Sequence, residues 1–269
     1  MDKLLEEQQE YYNQRSGEYD DWWNRKGDFD HGEQSNTEFT SNRSGIYSFL
    51  ETVTGESVMG PGQLRVLELA PGTGNFTHFF LRNTPKRFNL RCEEGSPDMM
   101  RVLGNKYAEL VAAAGDAFQI HQTNLLNEQF APEKEHYDIV FLGFFISHVP
   151  PELFASFFGK IFAALKPGGR IIFADSFFPL RNKMVNQDAH EAVVNRVEYQ
   201  QQQSNDYVIE RKLLNGDKFR IVKVGFSVDD IISILQPHGF VMTHGDGCSV
   251  NSTFIYGSFS KPTTIAQSN

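Results

Sequence analysis

The stretch VLELAPGTGNFT, residues 66–77, decides how this chain of 269 residues folds. Its first half is an apolar run typical of a buried strand, and this run contains the acidic residue Glu68. Gly72 and Gly74 then predict a sharp turn at which the backbone approaches a ligand closely. A helix that starts after such a turn presents backbone N–H groups to that ligand. The stretch therefore predicts a strand, a nucleotide-binding turn and a helix.

Short apolar runs alternate with helical patterns on the C-terminal side of this turn. The predicted strands cover residues 64–69, 88–93, 118–123, 138–142 and 170–175, and the predicted helices cover residues 75–82, 97–106 and 151–165. Such alternation is typical of a parallel sheet with helices on both faces. We therefore expect an α/β fold with a doubly wound, mostly parallel sheet.

The composition argues against several classes of protein. The net charge is -9 and no Lys/Arg cluster occurs, which disfavours a nucleic-acid partner. No uncharged apolar run reaches the ~20 residues that a membrane-spanning helix needs, so no membrane partner is expected. Cys92 and Cys248 lie far apart in apolar runs and are expected to be reduced thiols. The acidic N-terminus is unlike a secretory signal. These features predict a soluble, cytoplasmic protein and leave its oligomeric state undetermined.

The spacing after Gly74 distinguishes between nucleotide cofactors. A dinucleotide-binding fingerprint needs a third glycine three positions later, and Thr77 occupies that position. NAD and FAD are therefore disfavoured. A nicotinamide-dependent oxidoreductase stays an alternative, because a Gly-x-Gly turn alone is a weak signal.

Several motifs, in order along the chain, resemble those of the class I S-adenosylmethionine-dependent methyltransferases. Besides the acidic strand and its turn, they are CEEGSPDMM at residues 92–100, YDIVFLGFFISHVPP at 137–151 and KPGGRIIFADSFF at 166–178. The resemblance covers most of residues 7–260. It implies a seven-stranded Rossmann-like sheet with an antiparallel last strand. It also implies S-adenosylmethionine (SAM) as cofactor, S-adenosylhomocysteine (SAH) as product, and methyl transfer to an O, N or C atom of a small-molecule acceptor. A protein of this fold with a non-methylating reaction is the alternative.

The resemblance implies a set of cofactor-binding residues. Glu94 is expected to accept both ribose hydroxyls from its strand end. Asn124 replaces the family's aspartate and can accept the adenine amino group through its carbonyl oxygen. Arg15 is expected to pair with the methionine carboxylate of the cofactor. The whole set is Tyr11, Arg15, Tyr19, Glu68, Ala70, Pro71, Gly72, Thr73, Gly74, Glu94, Gly95, Ser96, Met99, Asn124, Leu125, Leu142, Gly143 and Phe144.

His148 is the catalytic candidate, since an imidazole can take a proton from an acceptor hydroxyl or stabilise a carboxyl acceptor. Simple capping or packing is its alternative role. The candidates for substrate binding are Trp22, Trp23, Phe145, His148, Phe177 and Arg211. Core packing explains the tryptophans equally well, and a solvated hairpin face is slightly favoured for Arg211. The histidines lack the paired spacing of metal ligands on one helix, so no metal is expected.

Segments on both sides of the SAM-binding core are expected to complete the site. We expect a helical arm over the active site at residues 1–62, the core at 63–175, an inserted substrate cap at 176–226, a helix and strands at 227–260, and a flexible tail at 261–269. Within the insertion, a helix is expected inside residues 190–203 and a hairpin over 207–224 with its turn near Asn215-Gly216. The final strands are expected at 240–244 and 253–259.

Overall fold

The computed structural model describes residues 1–177, 207–243 and 245–263, so residues 264–269 of the expected tail lie outside it. The main sheet contains β1 Leu64–Leu69, β2 Phe88–Glu94, β3 Phe118–Gln122, β4 Tyr137–Gly143, β5 Leu165–Ser176, β8 Gly247–Val250 and β9 Phe254–Ser260. Their order is β3-β2-β1-β4-β5-β9-β8. The strands β1 to β5 are parallel, and β9 is antiparallel to both of its neighbours. The expected Rossmann-like sheet with an antiparallel last strand is confirmed.

Both faces of this sheet are buried. Along β1, Val66 joins one apolar cluster and Leu67 joins another, because successive side chains of a strand point to opposite faces. Neither side chain is exposed to solvent. A strand that is apolar on both faces needs helices on both sides, as the alternating pattern predicts.

Helices cover each face of the sheet. They are α1 Asp2–Arg15, α2 Tyr19–Trp23, α3 Glu33–Thr54, α4 Glu56–Met59, α5 Thr77–Leu81, α6 Pro97–Lys106, α7 Ala108–Ala114, α8 Phe154–Ala164 and α9 Val228–Leu235. Ile46 and Leu50 of α3 belong to the cluster of Val66, whereas Phe158 of α8 and Ile231 of α9 belong to the opposite cluster. In the described part of the chain, none of the helices combines the length and apolarity that crossing a bilayer requires.

A hairpin stands apart from the main sheet. Its strands are β6 Val208–Lys212 and β7 Lys218–Val222, which pair in antiparallel fashion. Gly216 has a φ of +98° in the connecting turn, in agreement with the hairpin turn expected at Asn215-Gly216. The helix expected inside residues 190–203 lies outside the described residues.

Helix α1 packs on this hairpin. Tyr11 shares a small apolar cluster with Ile209 and Ile221. At the edge of the contact, the Glu7 carboxylate accepts a hydrogen bond of 2.9 Å from the Arg220 guanidinium. We call α1 together with the β6–β7 hairpin the α1–hairpin cap. The first helix of the chain and the hairpin thus form one packed unit.

The C-terminal strands differ from the expectation. In the described part of residues 240–244, pairing is limited to a bridge between Val241 and Ser260, and the strand next to β9 is β8 instead. Asp246 gives the physical reason, because its carboxylate accepts the backbone N–H of Thr243 at 2.8 Å. This bond folds the chain into a turn, so regular pairing begins only after the turn.

Gly74 has a packing role in the turn after β1. Its φ is +85°, and a Cβ there would lie 2.8 Å from Cε2 of Tyr107 and 2.9 Å from Cγ of Leu103. Leu103 is fully buried on α6, so it has no room to move away. The turn approaches α6 this closely only because Gly74 has no side chain.

We predict that Gly74→Ala destabilises the fold. Left-handed strain and overpacking together should lower the free energy of unfolding by about 1–3 kcal/mol, measured by urea denaturation. Gly104→Ala on α6 is the matched control, because its new Cβ would meet open space. In a helix this control should gain roughly 0.5–1 kcal/mol. Equal effects of the two substitutions would contradict the packing role of Gly74.

Candidate functional site

Two adjoining pockets lie at the carboxyl ends of the central strands, the edge at which doubly wound sheets bind ligands. The larger one, which we call the strand-end pocket, has a volume of about 730 Å³ including its open mouth. The smaller one, which we call the basic pocket, has a volume of about 440 Å³ by the same measure.

The strand-end pocket brings together many of the residues that the sequence indicates for the cofactor. These are Tyr19, Ala70, Gly72, Glu94, Gly95, Met99, Asn124, Leu125, Gly143 and Phe144. Five further residues line the same pocket and were not indicated by the sequence. All but Leu126 lie on α1, and they are Leu5, Gln8, Gln9, Tyr12 and Leu126.

Left-handed backbone follows two of the central strands. Ala70 after β1 has a φ of +53°, and Phe144 after β4 has a φ of +59°. Backbone hydrogen bonds hold both positions, from Ala70 N–H to Glu93 O at 2.9 Å and from Phe144 N–H to Ala174 O at 2.7 Å. This conformation costs roughly 1–2 kcal/mol for a residue with a side chain. Such outliers concentrate at ligand sites, and both of these line the strand-end pocket.

Glu94 is held at the end of β2 by two backbone N–H groups. Its Oε1 accepts from Ser96 at 2.8 Å and its Oε2 accepts from Gly72 at 2.9 Å. Burial raises the pKa of Glu94 above its usual value, and the N–H groups oppose this rise. Each carboxylate oxygen keeps a further lone pair. Glu94 can therefore accept hydrogen bonds from two neighbouring hydroxyls, as a ribose offers.

Asn124 lies in the strand-end pocket after β3. Its Oδ1 accepts the backbone N–H of Leu126 at 3.0 Å and keeps a second lone pair for a ligand. Met99 and Leu125 add apolar surface to the same pocket. The pocket thus offers apolar surface beside a hydrogen-bonding amide, which suits a purine base.

Other predicted cofactor residues form the frame behind the pockets. Thr73 donates a hydrogen bond of 2.7 Å to Asp20. Ser96 caps α6 by accepting the Met99 N–H at 3.2 Å, and Leu142 is buried in the core. Pro71 and Gly74 belong to the turn after β1. Tyr11 and Arg15 are the exceptions, because they line the basic pocket.

Glu68 lies buried on β1, behind the turn. The Cys92 thiol is 3.5 Å from its Oε2 and donates to it. Burial raises the pKa of Glu68 to about 8. The carboxyl group is therefore mostly protonated at neutral pH, and the structure places it in the core, outside the lining of the two pockets.

Cationic side chains line the basic pocket. Arg15 comes from α1, Arg211 from β6 and Lys223 from the residue after β7. The Lys223 ammonium donates to Ser147 Oγ at 2.8 Å and lies 3.6 Å from a carboxylate oxygen of Asp175. Sequence reasoning missed Lys223, although it indicated Arg15 and Arg211.

His148 stands between the two pockets and lines both. Its Nδ1 lies 2.7 Å from the Val222 carbonyl oxygen, which can only accept, so Nδ1 carries the proton. Its Nε2 lies 2.8 Å from the Tyr12 hydroxyl, which therefore donates to it. Burial, assisted by Lys223 and Arg211, holds the pKa of His148 well below its usual value. The imidazole is therefore neutral, and the lone pair of its Nε2 accepts the hydrogen bond from the Tyr12 hydroxyl.

The predicted substrate-binding residues are distributed over the two pockets and the core. Trp22 and Arg211 line the basic pocket, and Phe145 lines the strand-end pocket. Trp23 packs in the core, with its ring 5.4 Å from that of Phe144. Phe177 forms a backbone bridge and packs against the core.

Comparisons with known proteins agree with this geometry. Residues 67–171 match the family model of a methyltransferase domain. The chain is similar to DhpI in a complex with SAM and HEP, with 25% identity and a TM-score of 0.64 over 96% of this chain and 98% of DhpI. For the DhpI complex with SAH, the identity is 24% and the TM-score is 0.64, over 98% of this chain and 100% of that chain. For a SAM-dependent methyltransferase from Methanosarcina mazei, the identity is 11% and the TM-score is 0.57, over 76% of this chain and 95% of that chain. Comparison with curated proteins found no significant match.

The fold, the strand-end pocket and the matched domain define the class of protein. This chain carries the fold and the domain of a class I SAM-dependent methyltransferase. The matched methyltransferase domain and the SAM and SAH complexes of DhpI support SAM as the cofactor over the nicotinamide alternative. The strand-end pocket suits this cofactor, because Glu94 is arranged to accept paired hydroxyls next to an apolar lining.

We predict that the buried Glu68 makes stability depend on pH. Its pKa rises from 4.5 to about 8 on folding. The stability that the protonated form contributes is complete below pH 4.5 and is lost as the pH rises through about 8. Glu68→Gln should therefore gain stability relative to the wild type between pH 5 and pH 9, by on the order of a few kcal/mol. Thermal and urea unfolding at both pH values measure this difference.

The control for this comparison is Glu128→Gln, the same change at an exposed position. It should leave the pH dependence of unfolding as in the wild type. An identical pH dependence in the wild type and Glu68→Gln would contradict the assignment.

Proposed function

We propose that this protein transfers the methyl group of SAM to an O, N or C atom of a small-molecule acceptor. The observation that carries the proposal is the common wall of the two pockets. Tyr12, Tyr19, Phe144 and His148 line both of them. A cofactor in the strand-end pocket and an acceptor in the basic pocket would therefore meet at this wall.

The cofactor would be held by residues at the strand ends. Glu94 would accept the ribose hydroxyls, while Asn124 and Met99 would lie against the base. Aromatic faces attract cations, so the rings of Tyr19 and Phe144 at the common wall would favour the sulfonium. Arg15, on the other side of that wall, is available to the carboxylate of the cofactor or to the acceptor.

In the reaction, SAM supplies a methyl group on a positive sulfur, and the C–S bond breaks as a lone pair of the acceptor forms the new bond, which leaves SAH. The chain would contribute the alignment of donor and acceptor. Tyr12 faces the common wall and His148 orients it. We propose that His148 acts on the acceptor through Tyr12, because the Tyr12 hydroxyl occupies the lone pair of its Nε2. An acceptor hydroxyl would donate a hydrogen bond to Tyr12 Oη while Tyr12 donates its own proton to the Nε2 lone pair, which would orient the acceptor oxygen.

Several observations support a small acceptor. Residues of the α1–hairpin cap line the basic pocket, so an acceptor bound there would lie beneath the cap. The net charge of -9 opposes a nucleic-acid substrate. DhpI, at 25% identity, is described in a complex with SAM and HEP together. Cys92 and Cys248 are unpaired thiols, which fits the proposed cytoplasmic location.

We propose for the segments the roles that the sequence suggests. We propose residues 1–62 as an arm over the site, 63–175 as the SAM-binding core and 176–226 as the substrate cap. Residues 227–260 would complete the sheet, and 261–269 would form the tail.

We predict that Glu94→Gln weakens SAH binding. Hydrogen bonds to a charged group contribute about 1.5–3 kcal/mol, so the dissociation constant should rise by about tenfold to a hundredfold. Wild-type affinity should also fall as the pH falls toward the raised pKa of Glu94, and the variant should lose this dependence. Isothermal titration calorimetry at several pH values measures both effects.

Glu93→Gln is the neighbouring control. The Glu93 carboxylate bonds Arg91 at 2.6 Å and does not belong to the lining of either pocket. This variant should keep the wild-type affinity for SAH. An unchanged affinity in Glu94→Gln would exclude Glu94 as a ribose ligand.

The activity itself is tested by a screen of small carboxylates, phosphate monoesters, amines and phenols. The protein is incubated with SAM and each acceptor, and SAH and the methylated product are quantified by mass spectrometry. We expect acceptor-dependent SAH formation with at least one small molecule. Tight SAH binding combined with methyl transfer only to protein or nucleic acid would overturn the proposal.

A further inference from the structure

The geometry of the basic pocket points to an acceptor that carries an oxyanion, a carboxylate or an oxyanion of phosphorus, bound by Arg211 and Lys223 with Arg15 beside them. This inference rests on the proposed function and names the substrate class of the same site. Arg15 and Lys223 are more than nine-tenths buried. Removing charged groups from water is costly, and the Asp175 carboxylate, 3.6 Å from the Lys223 ammonium, offsets part of that cost.

The position of Arg211 on its strand is the first argument. Ile209 and Leu213 flank it by two residues on either side, and both pack inward against Tyr11 of α1. Because residues two apart on a strand share a face, Arg211 also faces inward. Its neighbour Glu210 belongs to the outer face and pairs with a lysine there. The inward position agrees with the presence of Arg211 in the pocket lining and not with a solvated hairpin face.

Lys223 follows the same rule on the other side of the hairpin. Phe219 and Ile221 pack with the apolar cluster of the cap, and Lys223 continues their row by one further step. Each inward row of the hairpin therefore carries one cation at a place where an apolar side chain would favour stability. Inward-facing cations of this kind suit a pocket that binds an anion, whereas a solvated hairpin face does not need them.

The cap fixes these cations relative to each other. Gln8 of α1 accepts the backbone N–H of Val222 at 2.8 Å and donates to the His148 carbonyl oxygen at 3.1 Å. Lys223 itself is oriented by Ser147 and Ser176, at 2.8 and 3.3 Å from its ammonium. Such preorganisation lowers the entropic cost of binding a small anion.

The chemistry of the cations limits the ligand. A guanidinium matches two oxygens of a carboxylate or phosphate group, and an ammonium adds a point charge. The pocket adds the polar edges of Tyr11 and Trp22. An oxyanion bound at the cations would leave the rest of the acceptor directed to the common wall with the strand-end pocket.

The test uses the SAH-saturated protein, so that cofactor binding is established before any anion is added. Sodium phosphate, sodium acetate and the neutral probe acetamide are titrated separately at constant ionic strength, with sodium chloride as balance. Thermal stability and calorimetry report binding. We expect phosphate or acetate to stabilise the protein and acetamide to have no effect, and the preferred anion distinguishes the two sources of the oxyanion.

Substitutions then assign the site. Arg211→Gln and Lys223→Gln should each weaken anion binding by about tenfold or more, while the SAH dissociation constant and the circular dichroism spectrum stay as in the wild type. Arg211→Lys keeps the positive charge and loses the paired N–H donors of the guanidinium. Its affinity for the anion should therefore lie between those of the wild type and Arg211→Gln. Lys212→Gln is the matched control, because its exposed side chain belongs to the outer face of the same strand.

The outcomes separate this inference from the proposed function. Equal stabilisation by acetamide and the anions, or an equal loss in Lys212→Gln and Arg211→Gln, would overturn the oxyanion site. Methyl transfer to a neutral acceptor without any anion binding would overturn it as well and leave the proposed function intact. Anion binding that depends on Arg211, without methyl transfer to any small molecule, would overturn the proposed function alone.

Discussion

The parallel pairing of β1 with β2 on one side and β4 on the other is the constraint on which the whole site depends. Parallel strands end at the same edge of a sheet, so the chain must leave all three at one place. Ala70, Glu94 and Phe144 are far apart in sequence and still meet in one pocket. The sharp turns after β1 and β4 place Ala70 and Phe144 in left-handed backbone conformations, which are strained for residues with a side chain.

The second pocket depends on contacts outside this sheet. Helix α1 and the hairpin bury a common apolar cluster, and the same contact places the cations of the hairpin over the strand ends. The polar contacts of Gln8 connect this cap to the loop that carries His148. The cofactor site is therefore built from the core of the fold, and the acceptor site is built between the core and its cap.

The sequence predicted the sheet and much of the cofactor pocket because these depend on local order along the chain. An apolar strand, a glycine turn and a helix follow each other, and Glu94 comes where the next strand must end. The strand expected at residues 240–244 was wrong because the Asp246 carboxylate, which also bonds the distant Arg170, accepts the Thr243 N–H and sets a turn there. Tyr12 could not be found by local order, since packing between distant segments decides its place. Alternation with Ile221 already indicated the direction of Lys223. Arg211 is an intermediate case. It lies two residues after Ile209 on the same strand, so the alternation of side chains already predicts that it faces inward.

The separation between the sheet and the hairpin has an evolutionary consequence. The hairpin contributes no strand to the main sheet, so its inward positions can diverge without disturbing the nucleotide-binding edge. A lineage could exchange Arg211 or Lys223 for apolar or acidic residues and thereby acquire new chemistry while the donor half of the molecule stays constant. Diversification of such a protein would be concentrated in one short, replaceable module.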